Sequence, residues 1–116
     1  MLQIKKEQVD REIRKFKEEY VSDDMSDFEI EMEIIKWMVQ NIEYDYNYTS
    51  DYNNPCYTAY GALVNHLAVC NGYAEGFDEM CNAFGIESEL VIGKIYYPSD
   101  PDTLLDHAWN VAKLVE

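Results

Sequence analysis

Positive charge is scarce in this chain. Nine Lys and Arg stand against 23 Asp and Glu, a formal net charge of −14 over 116 residues. Nucleic acid and anionic membrane surfaces are held by clustered Lys and Arg, so this balance argues against both as partners. The acids are spread along the chain and read as a solvated, self-repelling surface. Cysteine is scarce too: Cys56, Cys70 and Cys81 are the three thiols. An odd count leaves at least one unpaired, and three are too few for a disulfide framework. Neither Cys-x-x-Cys nor His-x3-His spacing occurs, and the histidines are only His66 and His107. No metal site and no cofactor are expected from that set. Long apolar runs are missing, so no membrane insertion is expected. The opening "MLQIKKEQVDREIRKF" lacks the apolar region of a signal peptide. The chain is read as soluble, cytoplasmic as it stands, and extracellular or cell-surface if it is part of a longer secreted protein.

What is present suits one domain spanning 1–116, with an N-terminal helical region over 1–24 and a core over 25–116. Hydrophobic residues make up 47% of the chain, enough for a real core. In "VDREIRKFKEEY", Val9, Ile13, Phe16 and Tyr20 fall on one helical face. "SDFE" reads as a capping box with Ser26 as N-cap and Glu29 at N3, flanked by Met25 and Ile30 in the staple positions. Phe28, Met32, Ile35, Val39 and Ile42 then form the expected apolar stripe of a second helix. "EYDYNYTSDYNNPCY" reads as a long loop, because Pro55 forbids a regular central strand. Its tyrosines, Tyr44, Tyr46, Tyr48 and Tyr52, pack the loop on the core or line a groove for peptide or glycan. "TAYGALVNHL" reads as a short helix capped by Thr58. A third helix carries Tyr73, Phe77, Met80, Cys81 and Phe84 on one face, with Gly85 in the C′ position. The period then changes to two. "ESELVIGKIYY" and "HAWNVAKLVE" read as strands, joined by the turn-rich loop "PSDPDTLLD". Helices first and strands after imply an α+β fold with an antiparallel sheet.

One short run asks for a chemical reading. In "LAVCNGYAEGF", Cys70 stands where a helix begins. The free N–H groups and dipole of a helix N-terminus favour a thiolate. A thiolate nucleophile needs a base and later an acid. His107 opens the strand "HAWNVAKLVE", and alternation puts His107, Trp109, Val111 and Val115 on one face, read as the face toward the core. A histidine at that strand end can meet a helix packed on the sheet, which would form a Cys-His dyad. Cys56 and Cys81 read as inert, the latter as a small hydrophobe on the apolar helix face. His66 reads as surface or loop.

"YTAYGALVNHLAVCNGYAEGF", "GIESELVIG" and "DHAWNVAKL", in that order, resemble the transglutaminase-like superfamily, of papain-like fold. The resemblance implies Cys70 as nucleophile and His107 as general base and acid. Asn71 and Gly72 follow the nucleophile, and a residue without a side chain lets backbone or substrate approach. Tyr57 or Tyr60 would add an oxyanion donor beside the Cys70 N–H, and Trp109 is expected in the core or beside the substrate. The family's third residue, an Asp on the strand after the histidine strand, has no counterpart before Glu116. Asp106 and Asn110 alternate away from His107. The chain is therefore expected to lack its C-terminal strands and to pair its exposed last strand with a second copy, as a homodimer. The expected chemistry is thiol-dependent acyl transfer at an amide of a peptide or protein substrate, by hydrolysis as in a cysteine peptidase or by transamidation. The competing expectation is a non-catalytic module that binds protein or glycan.

Overall fold

The computed structural model describes residues 3–48 and 51–113. Three helices gather one core, and a two-stranded ribbon lies against the last of them. Helix α1, Gln3–Tyr20, turns Val9, Ile13 and Phe16 inward, as their spacing dictates, and leaves Tyr20 at its exposed end. Helix α2, Asp27–Asn41, starts in the expected capping box: Ser26 Oγ accepts the Glu29 N–H, and Glu29 Oε1 accepts the Ser26 N–H, both at 3.2 Å. Two orphan donors of the first turn are thereby satisfied.

The buried stripe of α2 is not the expected one. Ile30, Ile34 and Met38, with Ile42 just beyond, face the core, whereas Phe28, Met32, Ile35 and Val39 are exposed. "FEIEMEIIKWMVQNI" carries apolar residues around most of the helix, so two stripes satisfy the period. Packing against α1 and α3 selects between them.

The tyrosine-rich segment is mostly irregular, but it begins as strand β1, Glu43–Tyr44. It closes on a 3-10 turn, Pro55–Tyr57, where Asn54 Oδ1 accepts the Cys56 N–H at 3.0 Å. The expected helix after Thr58 is present in a wider form, with a π-helical turn at Gly61–Asn65. Thr58 Oγ1 accepts the Gly61 N–H at 3.3 Å, the capping role expected of it. Gly61 is obligatory there, since a Cβ would stand 2.0 Å from the Pro55 carbonyl oxygen. The turn ends at His66 in the left-handed region, φ 59°. His66 lies in a bend between the π-turn and the next strand, as the loop reading has it, but it is half-buried rather than on the surface, its ring edge-on to Trp37 at 5.7 Å. The π-turn swings it inward.

Strand β2, Leu67–Ala68, pairs in parallel with β1, and α3, Cys70–Ala83, follows at once. Gly85, φ 74°, ends the helix as expected. Strands β3, Ser88–Tyr97, and β4, Asp100–Ala112, form an antiparallel ribbon. The expected loop over 98–106 is therefore mostly strand, and His107 lies inside β4 rather than at its start. The pairs Ile95↔Leu105 and Lys94↔Asp106 carry the ladder past the region that composition marked as a turn. Pro101 is tolerated because β4 is an edge strand. The end of the last strand, including Val115, lies outside the described residues.

Phe16, Ile34, Leu63 and Met80 are fully buried in a core shared by all three helices. Burial of side chains this size contributes roughly 1.5–3 kcal/mol each. Among the described helices none is long and apolar enough to cross a membrane.

Candidate active site

Cys70 is the first residue of α3, as the sequence predicts. Its placement follows from several bonds to the preceding chain. The Val69 N–H donates to the Cys56 carbonyl at 3.0 Å, and Asn71 Nδ2 donates to the Tyr57 carbonyl at 3.1 Å. Gly72 closes the same seam. A Cβ on it would come 2.3 Å from the Cys56 carbonyl oxygen and 3.1 Å from that of Thr58. The glycine thus admits the backbone of the 3-10 turn rather than substrate. Val69, the N-cap, offers no side-chain cap, and the first turn holds no acid. The N–H groups of the first turn therefore have no side-chain cap beside the thiol.

His107 and Cys70 line one cavity of about 580 Å³, formed between α2, α3 and β4. Tyr44, Tyr73, Phe77 and Trp109 share the lining. No hydrogen bond joins Cys70 to His107 among the described residues. The His107 ring stacks on Trp109 with centroids 6.0 Å apart and an interplanar angle of 26°. Trp109 in turn lies across Gly93, where a Cβ would stand 2.8 Å from the indole.

The face of β4 differs from expectation. Ala108 is buried, and Asn110 Nδ2 donates to the Ala74 carbonyl of α3 at 2.9 Å. His107, Trp109, at 38% exposure, and Val111, at 58%, alternate onto the other, open side. Small and amide side chains let the strand approach the helix backbone, which the indole would hold apart. Trp109 is therefore a wall of the cavity and not a core residue. Asp106 is exposed and pairs with Lys94 at 2.7 Å.

The tyrosines divide in a way that their sequence does not reveal. Tyr57 and Tyr60 are absent from the cavity lining. Tyr57 packs on Tyr52, with centroids 4.9 Å apart, and Tyr60 carries the Lys5 ammonium 4.9 Å over its ring. Tyr44 instead lines the cavity together with Cys70. Burial pushes its hydroxyl pKa up, and the Cys70 thiol adds to this. A strand of two residues has no period to read, so only the pairing of β1 with β2 reveals this neighbour.

All three thiols are free. Burial pushes the Cys56 thiol up, and the carboxylate of Asp45 adds to the effect. Cys81 is fully buried and pushed up to about 12 by burial, with Glu31 and Asp78 contributing. Both are therefore protonated at neutral pH, in keeping with the inert reading. Among the described residues no group of three or more His, Cys, Asp and Glu side chains is arranged to hold a metal ion.

Comparison with known proteins sets this geometry in context. The family model of the transglutaminase-like superfamily matches residues 14–116. No curated protein matches the chain. Among solved structures, a TGase superposes with a TM-score of 0.69 at 13% identity, over 96% of this chain and 29% of its own. A protein from Cytophaga hutchinsonii, named as a putative cysteine protease, gives a TM-score of 0.66 at 20% identity, over 91% of this chain and 34% of its own. This chain thus spans about a third of the length of either, and at these identities the likeness is one of fold. With the family model covering nearly the whole chain, and the helix that begins at Cys70 packed on the ribbon that carries His107, the chain belongs to the transglutaminase-like superfamily.

Proposed function

We propose that this domain carries out thiol-dependent acyl transfer at an amide, with Cys70 as nucleophile and His107 as acid and base. The observation that supports this reading is the shared cavity: a thiol on an uncapped helix N-terminus and an imidazole open onto one space of about 580 Å³. The Cys70 thiolate attacks the carbonyl carbon of a peptide bond or glutamine carboxamide. As the C–N bond breaks, the imidazolium of His107 gives its proton to the leaving nitrogen, and a thioester remains on Cys70. Water then attacks the thioester while His107 takes its proton. The C–S bond breaks, the acid leaves, and the thiolate–imidazolium pair returns. An amine in place of water gives a cross-link. Hydrolysis is the default, because the cavity is open to solvent and water is always at hand.

The apolar walls from Ile35, Phe77 and Trp109 suit a peptide or protein segment more than a highly charged small molecule. The test is the rate of iodoacetamide modification at each thiol against pH, followed by mass spectrometry. Fast modification of Cys70 at neutral pH, slowed in His107→Ala, supports the enzyme. Equal, sluggish rates at Cys56, Cys70 and Cys81 identify a binding module instead.

A further inference from the structure

We propose that Glu31 selects the substrate: its carboxylate, at the far end of the cavity from Cys70, receives a basic side chain, arginine or lysine, of the peptide whose carbonyl is attacked at the thiol. This rests on the acyl-transfer reading and adds to it the substrate class. The basic side chain is recognised at a distance and takes no part in bond making.

Helices α2 and α3 run antiparallel along the cavity. The Tyr73 hydroxyl, in the first turn of α3, donates to the carbonyl of Ile42, the C-cap of α2, at 2.9 Å. At the opposite end, the carboxylate of Glu31, in the second turn of α2, helps to push up the pKa of the Cys81 thiol in the last turn of α3. The lining follows this course. On α3 it passes from Cys70 through Tyr73 to Phe77, and on α2 from Val39 through Ile35 to Glu31. Eight residues of helix from Val39 to Glu31 make a run of about 12 Å. An extended peptide covers that length in about three to four residues.

Among the described residues of the lining, Glu31 is the one carboxylate. It is half-buried, and among the described residues no Lys or Arg pairs with it. Its Oε2 is sealed from water and has no hydrogen-bond partner among those residues. A carboxylate held partly out of water without a counter-charge is costly. Asp78, whose charge also reaches Cys81, adds to the negative charge there instead of relieving it. The cavity is the open side from which a cation can come. The terminal torsion of a Glu side chain is soft, so the carboxylate can turn to meet a donor. Arginine and lysine carry long methylene stems that lie on apolar surface and a charged head that reaches beyond it. Ile35 and Phe77 supply that surface on the way to Glu31. The net charge of −14 draws a cationic peptide and repels an acidic one.

Peptides of neutral sequence, each with one arginine or its uncharged isostere citrulline within a few residues of the attacked carbonyl, test the role. Turnover is read by mass spectrometry on wild type and on Glu31→Gln, which keeps the side-chain shape and removes the charge. Capture of a peptide aldehyde by Cys70, as a hemithioacetal, is the control for a working thiol. At one position or more, wild type should favour arginine over citrulline by about 10- to 100-fold in kcat/KM, the range for a hydrogen bond to a charged group. Most of the difference should lie in KM. In Glu31→Gln the ratio should fall to near one, whereas Glu31→Asp, which keeps the charge, should retain a preference. Turnover at equal rates for arginine and citrulline at every position in wild type overturns this inference alone, and that result needs no variant to fold. A preference that persists unchanged in Glu31→Gln also overturns it, because another group then holds the cation. A wild type that neither turns over any peptide nor captures the aldehyde overturns the acyl-transfer reading and this one together.

Discussion

Helix α3 carries a cysteine at each end, and the two thiols could hardly be more different. Cys70 heads the helix, partly open to a cavity, with no side chain capping the N–H groups around it. Cys81 lies in the last turn, fully buried beside the carboxylates of Glu31 and Asp78, with its pKa pushed up to about 12. The residue type is the same and the helix is the same. Position relative to the helix dipole, solvent and neighbouring charge sets the chemistry. Burial beside negative charge forbids a thiolate at Cys81, whereas Cys70 opens onto the cavity.

Exchange of each cysteine for alanine breaks the comparison most sharply. Cys70→Ala should abolish aldehyde capture and lower amide turnover by more than about 10³, with the fold intact. Cys81→Ala should leave turnover in place and lower unfolding free energy by about 1–2 kcal/mol, from a small buried void. Urea titration beside the turnover assay measures both. An unchanged rate in Cys70→Ala would remove the nucleophile from this account.

Gly72→Ala tests the seam that holds the Cys70 end. A Cβ at 2.3 Å from the Cys56 carbonyl oxygen meets backbone that cannot rotate away. The expected cost is about 3 kcal/mol in urea unfolding, at the upper end for overpacking. Stability equal to wild type would mean that the 3-10 turn is free to shift.

pH sharpens the contrast at the other end. The folded pKa of Cys81, about 12, stands above its ordinary value of 9.0. Its neutral form is the one that the fold accepts. The stability it contributes is fully present below pH 9 and is lost as pH rises toward 12. Thermal midpoints followed from pH 8 to 11 should fall in wild type and fall less in Cys81→Ala. Identical slopes would show that Cys81 does not titrate as its surroundings require.

The smallest effects belong to the polar groups around the site. Asn71→Ala removes the bond to the Tyr57 carbonyl and should cost about 1 kcal/mol. Asp106→Asn breaks an exposed pair with Lys94 and should change stability by less than about 0.5 kcal/mol. It should also leave the pH profile of Cys70 alkylation unmoved, although Asp106 adjoins His107 in sequence. A shifted profile would give Asp106 a role in orienting the imidazole that its exposed position argues against.

Local signals were legible where they are chemically specific. The Ser26–Glu29 box, the inward stripe of α1, the start of α3 at Cys70 and the glycine at its end are each set by neighbours within a few residues. Cap hydrogen bonds and a left-handed turn do not wait for tertiary packing. The α+β class and the family resemblance rested on the same kind of information, carried by short motifs in order.

Other features needed the assembled fold. Two apolar stripes compete on α2, and contact with α1 and α3 buries Ile34 while Val39 stays open. Alternation along β4 names two faces without saying which meets the helix. Asn110, through its bond to the Ala74 carbonyl, ties the face of Ala108 to α3 and leaves Trp109 at the cavity wall. Tyr44 and Cys70 are neighbours only because β1 pairs with β2. Helix caps, turns and periodicity are short-range and were decided in the chain itself. The choice of face and the company of the thiol depend on which surfaces meet, and packing between elements distant in sequence decides that.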